Sequence, residues 1–100
     1  MSPFEAIAEP NRRRLLELLR SGERAAGDLV EAMGLSQPGV SKHLKQLREA
    51  GFVSVRADGQ KRLYRLEARE LAALDSWLEQ FRQFWADRLD ALNEHLEKEQ

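Results

Sequence analysis

The chain has 100 residues, of which 42% are hydrophobic and 33% charged, and this balance predicts one small globular domain rather than a disordered or membrane protein. It contains no cysteine, which excludes disulfides and thiolate metal sites. The N-terminal residues include acidic side chains and lack a signal-peptide pattern, and no apolar run is long enough to span a bilayer, so we expect a cytoplasmic protein.

The formal net charge of -1 conceals an uneven distribution of charge along the chain. Residues 1–66 contain 12 Lys and Arg against 8 Asp and Glu, whereas residues 67–100 contain 4 against 9. Within residues 36–66 the imbalance sharpens to seven basic residues against two acidic ones. Such a basic segment is typical of a surface that binds a polyanion, and ordinary solvated surface charge is the alternative.

Capping residues and leucine spacing predict four helices in the first half of the chain, over residues 3–9, 10–21, 26–33 and 37–50. Ser2 begins a capping box that continues with a proline and a glutamate. Gly22 is placed to end the second helix, and Ser36 is a favourable N-cap for the fourth.

The third and fourth helices are joined by a short turn that contains Gly34. Two helices joined in this way form a helix-turn-helix, whose second helix lies in the major groove of DNA. Val40, Leu44 and Leu47 repeat with helical spacing and predict the buried face of the helix 37–50. The opposite side of that helix is therefore the expected contact surface.

The candidate DNA contacts of this helix are Gln37, Pro38, Ser41, Lys42 and Lys45. Gln37 and Ser41 can hydrogen-bond to base edges, and the two lysines can reach phosphates or guanine acceptors. Pro38 is tolerated because the first turn of a helix leaves its N–H groups without intrahelical partners.

Residues 52–66 alternate apolar and polar side chains around an Asp58-Gly59 turn, which predicts a β-hairpin. We call this segment the wing. It carries Arg56, Lys61 and Arg62, which we predict to contact DNA phosphates. The alternative is that these charges only protect an edge strand from aggregation.

The segments LSQPGVSKHLKQLREAGFV (35–53) and DGQKRLYRL (58–66), with the order of the helices, resemble the ArsR/SmtB family of bacterial winged helix-turn-helix repressors. The resemblance implies a mainly α fold with a small β-hairpin, in the order α-α-α-α-β-β-α, and a dimer. It implies a DNA-binding domain at 1–66 and, in the same compact domain, a C-terminal dimerisation helix at 67–100. The implied function is sequence-specific repression at a palindromic operator.

Metal-sensing members of the family bind the ion through cysteines near the start of the third helix, where this chain reads RAAGDL at 24–29. The family's other metal site uses His, Asp and Glu of the last helix. His95 and Glu99 are one turn apart there, but the paired-histidine pattern is missing. We therefore predict no metal and no cofactor, and the sequence leaves the effector unknown.

From Leu71 onward, apolar residues recur every three or four positions over a helix of about thirty residues. The resemblance implies a homodimer through the first and last helices. The candidate interface residues are Phe4, Ile7, Leu71, Leu74, Leu78, Phe81, Trp85 and Leu92. Four aromatic residues between 77 and 85 predict an interface anchor or a ligand pocket. The alternative is that the helix folds back and is buried in its own monomer.

Two further features have open interpretations. Arg12, Arg13 and Arg14 open a helix where positive charge is unfavourable, which indicates a phosphate or an intramolecular carboxylate partner if they are not simply solvated. His43 lies at the margin of the buried face, where packing or a backbone hydrogen bond is expected rather than ligation.

The sequence contains no arrangement of histidine, serine and carboxylate and no phosphate-binding glycine loop, so we predict that the protein is not an enzyme. The favoured function is a dimeric repressor of transcription. The alternative is a winged-helix module that binds proteins through the same surfaces.

Overall fold

The helices and strands follow the predicted order, with one short strand added. The computed structural model describes residues 1–98. Its elements are α1 (Pro3–Ala8), α2 (Pro10–Leu18), a 3-10 turn (Leu19–Ser21), β1 (Arg24–Ala25), α3 (Ala26–Met33), α4 (Gln37–Glu49), β2 (Val53–Asp58), β3 (Lys61–Leu66) and α5 (Ala68–Lys98). The predicted second helix is therefore divided into α2 and a tighter final turn, and β1 is the addition.

Side-chain caps fix where three of the helices begin. The Ser2 hydroxyl accepts from the Glu5 N–H at 3.2 Å, and the Ser36 hydroxyl accepts from the Gly39 N–H at the same distance. The Glu9 carboxylate accepts from the Arg12 N–H at 2.9 Å and caps α2, a role that the sequence did not indicate. Each cap provides a partner for an amide that the helix itself leaves unpaired.

Gly34 makes the turn between α3 and α4. Its φ of 68° is in the left-handed region, where a side chain would be strained. Its N–H donates to the Val30 carbonyl at 3.2 Å, which ends α3. The chain then enters Ser36 and the first turn of α4, so the expected helix-turn-helix is formed.

The sheet has three antiparallel strands in the order β1-β3-β2. In the hairpin, Val53 pairs with Leu66 and Asp58 pairs with Lys61, so that Gly59 and Gln60 form the turn. β1 adds to the other edge of β3, where Arg24 pairs with Tyr64. The sheet thereby connects the wing to the residues that precede α3.

The core lies between the first four helices and the inner side of the sheet. Val40, Leu44 and Leu47 are buried as predicted, and Phe52 is fully buried at the start of the wing. The other buried apolar residues are Ala6, Leu15, Leu16, Leu19, Leu29, Met33, Val53, Tyr64 and Leu74. α4 is thus held by its apolar face, and its opposite side remains available to solvent.

α5 has 31 residues and is about 46 Å long at 1.5 Å per residue. Leu74 is its buried apolar residue, whereas Trp77 is 45% exposed and Phe84 60% exposed. The alternative that this helix folds back and is buried within its own chain is therefore wrong. Within residues 1–98, no helix combines the length and the apolar character needed to cross a membrane.

Candidate nucleic-acid interface

A cleft separates α4 from the wing and brings several of the predicted contact residues together. Its volume is about 400 Å³. It is lined by Ala26, Gln37, Ser41, Lys45, Arg48, Arg62 and Tyr64. The lining carries three cationic side chains, so it can donate hydrogen bonds to an anionic or base-edge acceptor.

The first turn of α4 determines how Gln37 and Ser41 are presented. Gly39 leaves room for the Ser36 cap, because a Cβ at that position would lie 3.1 Å from the Ser36 Oγ. Gln37 therefore lies at the exposed start of α4, and Ser41 follows one turn later on the same side. Pro38 and Lys42 are exposed on α4 but lie outside the lining of the cleft.

The basic residues of the wing are divided between its two faces. Because every second side chain of a strand lies on the same face, Arg62 lies on the face of Tyr64, and both line the cleft beside α4. Lys61 lies at the tip and lines a neighbouring cleft with Gln37 and Gln60. Arg56 pairs with Leu63 on the outer face, away from α4.

Arg56 is engaged by a carboxylate of its own chain. Its Nε donates to Glu23 Oε2 at 2.9 Å, and its Nη2 donates to Glu23 Oε1 at 2.7 Å. The hydrogen bond from Arg56 holds the pKa of Glu23 below its ordinary value of 4.5. The sequence had grouped Arg56 with Lys61 and Arg62, but the structure separates it from them in both position and pairing.

A second polar cluster occupies the same outer face at the base of the wing. The Ser54 hydroxyl donates to Glu67 Oε1 at 2.6 Å, and Arg65 Nε donates to the same oxygen at 3.2 Å. The hydrogen bond from Ser54, together with the charge of Arg65, lowers the pKa of Glu67. The outer face of the wing is therefore balanced in charge, unlike the face toward α4.

Sequence reasoning did not assign Arg48, Gln60 and Tyr64 to the site. Arg48 is three residues after Lys45 and seven after Ser41, a spacing that places it on the same side of the helix and that could have identified it. Gln60 and Tyr64 depend on the register of the hairpin and on its docking beside α4, which local patterns do not specify.

Each of the three arginines of α2 donates to at least one backbone carbonyl of its own chain. Arg13 Nη1 donates to the Ile7 and Ala8 carbonyls at 2.8 and 3.1 Å, and Arg14 Nη2 donates to the Ala32 carbonyl at 3.2 Å. Arg12 is only 8% exposed and reaches α1 as well as α4. The carbonyl acceptors lie at or near the C-terminal ends of α1 and α3, where helix carbonyls lack intrahelical partners and carry partial negative charge.

His43 faces the α1–α2 junction rather than the cleft. Its Nδ1 lies 3.8 Å from Glu9 Oε2, and the side chain is 18% exposed. Among the described residues this nitrogen has no hydrogen-bond partner. Packing is the role that the structure supports for this ring.

A separate apolar surface runs from α1 onto α5. Phe4 contacts Trp77 edge to face, with ring centroids 5.1 Å apart, and the Trp77 and Phe81 centroids are 4.9 Å apart. Phe4, Ile7, Leu74, Trp77 and Leu78 line a shallow apolar cleft of about 150 Å³. We call this surface, continued by the exposed Phe81, Trp85 and Leu92, the α1/α5 face.

The predicted interface residues do not all lie in the same environment. Phe4, Leu78, Phe81, Trp85 and Leu92 are exposed, whereas Ile7 and Leu71 are half-buried. Leu74 is buried as part of the core of its own chain, and it lies beneath the exposed residues of the α1/α5 face. On the other side of α5, Arg82 pairs with Asp75 and with Glu79.

Residues 1–98 contain no group of three or more His, Asp or Glu side chains placed to hold a metal ion. Of the two candidate ligands in the C-terminal segment, His95 is within α5, and Glu99 lies outside the described residues.

Comparison with known proteins connects this architecture to a family. The model of "Bacterial regulatory protein, arsR family" matches residues 9–55, which include α2, α3, α4 and the start of the wing. A solved structure described as a possible transcriptional regulator for arsenical resistance superposes with a TM-score of 0.78 at 42% identity, covering 91% of this chain and 95% of that one. The predicted winged helix-turn-helix fold is thereby confirmed.

Two relatives illustrate the range of similarity. The transcriptional repressor SdpR of Bacillus subtilis is 37% identical over 78 residues, which are 78% of this chain and 87% of the relative. A probable mercury resistance operon repressor of Streptomyces lividans is 48% identical over 61 residues, which are 61% of this chain but only 49% of that relative. These relatives are named as repressors and not as enzymes. The chain therefore belongs to the arsR family of bacterial regulatory proteins.

Proposed function

We propose that the protein is a homodimeric repressor of transcription that binds an inverted-repeat operator through α4 and the wing of each subunit. The observation that carries this proposal is the cleft between α4 and the wing. It places the neutral hydrogen-bonding groups of Gln37 and Ser41 beside the cations of Lys45 and Arg62. Neutral groups can discriminate bases, and cations supply affinity for phosphates.

The other predicted contacts take subsidiary roles in this proposal. Lys42 is exposed on the same helix and is assigned a phosphate contact, and Lys61 at the wing tip is assigned another. Pro38 packs against the DNA backbone at the start of α4. Arg56 is assigned the weakest contact, because it would have to exchange the Glu23 carboxylate for a phosphate.

The homodimer is supported by the exposed apolar side chains of the α1/α5 face. Monomeric soluble proteins rarely expose contiguous apolar patches of this kind without using them. Twofold symmetry of the dimer would present two copies of α4 to the same side of a DNA duplex, and this arrangement requires an inverted repeat.

We further propose that the repressor does not respond to metal ions. A family metal site of the thiolate type needs cysteine, which this sequence lacks. Operator affinity with and without added zinc, cadmium or arsenite is the measurement, and we expect less than a twofold change. A tenfold change that is lost in His95→Ala would show that the tail of α5 senses the metal.

The test of the proposed function is selection of genomic DNA fragments by the purified protein. We expect fragments that share one inverted repeat. Gln37→Ala should relax the preference at one or two positions of each half-site, at about 1–3 kcal/mol per position. Arg62→Ala should weaken the binding of all fragments together. Recovery of fragments with no shared sequence would instead favour the protein-interaction module.

A further inference from the structure

Arg12 connects α1, which belongs to the proposed dimer interface, with α4, which we assign to DNA binding. Its Nε donates to the Ala6 carbonyl at 2.7 Å, and its Nη2 donates to the Glu5 carbonyl at 2.9 Å, so two donors hold α1. Its Nη1 donates to Gln46 Oε1 of α4 at 2.9 Å. One buried guanidinium therefore bridges α1 and the helix that we assign to DNA.

This bridge differs from the contacts of the adjacent arginines. Arg13 also donates to carbonyls of α1, but within residues 1–98 it makes no hydrogen bond to α4, and Arg14 binds the end of α3. Burial of a cation is costly unless its donors are used, and Arg12 uses donors on all three of its nitrogens. The planar guanidinium also fixes the direction of each hydrogen bond, whereas apolar packing is not directional.

The same α1 helix forms part of the α1/α5 face. Phe4, one residue before the Glu5 carbonyl, packs edge to face on Trp77 of α5. Gln46 and His43 are three residues apart on α4 and face the α1–α2 junction, where His43 lies 3.8 Å from the Glu9 carboxylate. A continuous series of contacts thus runs from Trp77 through Phe4 and Arg12 to α4.

We propose that Arg12 is a positioning residue which, through Gln46, fixes the orientation of α4 relative to the α1/α5 face. In a dimer formed through that face, this orientation sets the separation of the two α4 helices and thus the spacing of half-sites that the protein accepts. The inference rests on the proposed homodimeric DNA-binding function. It concerns the distance between half-sites and not the bases read within each one.

The test is selection from a library of random-sequence DNA duplexes by the wild-type protein and by Gln46→Ala, which removes the bridge and leaves the α1 contacts of Arg12 in place. The number of base pairs between the two halves of the selected repeats is then counted. Inserting one base pair moves a half-site by about 3.4 Å and rotates it by about 35°. For the wild-type protein we expect this insertion to cost about tenfold in affinity, the scale of one mismatched base pair.

For Gln46→Ala we expect the cost of the insertion to fall to less than about threefold, with unchanged base preference inside each half-site. Gln46→Glu keeps an acceptor for Arg12 and should therefore select the same half-site spacing as the wild-type protein. Arg13→Ala, the matched control, removes contacts to α1 only and should behave as the wild-type protein does. Arg12→Lys, which lacks the planar fork, should reproduce the broadened spacing, and a circular dichroism spectrum establishes that each variant is folded.

Either of two results would overturn the inference while leaving the proposed function intact. One is a Gln46→Ala variant that retains the wild-type spacing and the wild-type cost of an insertion. The other is an Arg13→Ala variant that loses the spacing preference as fully as Gln46→Ala does. A wild-type protein that selects no inverted repeat would instead refute the proposed function, and the inference with it.

Discussion

At the scale of single residues, Gly51 combines a left-handed backbone conformation with a close neighbouring side chain. Its φ is 87°, and a Cβ there would lie 3.1 Å from Cγ of Glu70 in α5. Gly51→Ala should therefore lower the free energy of unfolding by about 1–2 kcal/mol, from the cost of the left-handed backbone and the displaced Glu70. Urea denaturation at one fixed protein concentration measures the change.

Gly27 provides the matched control for that substitution. It lies in α3, is exposed, and a Cβ there would meet nothing within 4 Å. Gly27→Ala should raise the free energy of unfolding by about 0.5 kcal/mol, because alanine restricts the unfolded chain and favours the helix. If the two variants changed stability equally, the assignment of backbone strain to Gly51 would be wrong.

At the scale of elements, the wing presents a cationic face and a balanced face, and the two should respond differently to mutation. Arg62→Ala should reduce the slope of log affinity against log salt by about one unit for each phosphate that the Arg62 side chains neutralise in the wild-type complex. Arg56→Ala should change the slope less, because Glu23 already neutralises Arg56. Titration of random-sequence DNA at several salt concentrations measures both slopes.

Glu23→Gln supplies the converse test of the wing, since it removes the carboxylate that holds Arg56. We expect higher affinity for random DNA and a steeper salt slope than in the wild-type protein. The pKa of Glu23 is lowered in the folded chain, so the ion pair is present above the ordinary value of 4.5 and is lost as pH falls through the lowered pKa. Near pH 7 the ion pair of Glu23 and Arg56 is therefore intact. If Arg56→Ala changed the salt slope more than Arg62→Ala does, the description of the wing as one cationic and one balanced face would be wrong.

The elements that sequence reasoning recovered are those specified by local pattern. The hairpin follows from alternation around Gly59, and α4 follows from the Ser36 cap and the spacing of its apolar residues. Strand β1 was missed because it has two residues and forms only by pairing with β3, about forty positions later. The contact of Arg12 with Gln46 was missed for the same reason, since Gln46 is 34 residues away in the chain.

At the scale of the whole molecule, α5 exposes a long row of apolar side chains that its own chain does not bury. The chain measures 60 Å along its longest axis, and exposed apolar side chains run along one side of α5, where Arg88 lies over the Phe84 ring. Aromatic residues form the middle of the apolar side, and such residues commonly provide most of the binding energy of an interface. A second copy of the chain, related by twofold symmetry, would cover the same surface on both subunits.

Trp85 is the residue with which to test that assembly, because it is a large exposed aromatic at the centre of the apolar side of α5. Sedimentation at micromolar concentration should give twice the mass of one chain. Trp85→Ala should raise the dissociation constant of the dimer at least about thirtyfold, the effect of losing about 2 kcal/mol. Gln83→Ala, on the opposite side of the same helix, should leave it unchanged. A wild-type chain that stayed monomeric at these concentrations would contradict the dimer, because only a dimer can hold two α4 helices about 34–36 Å apart on an inverted repeat.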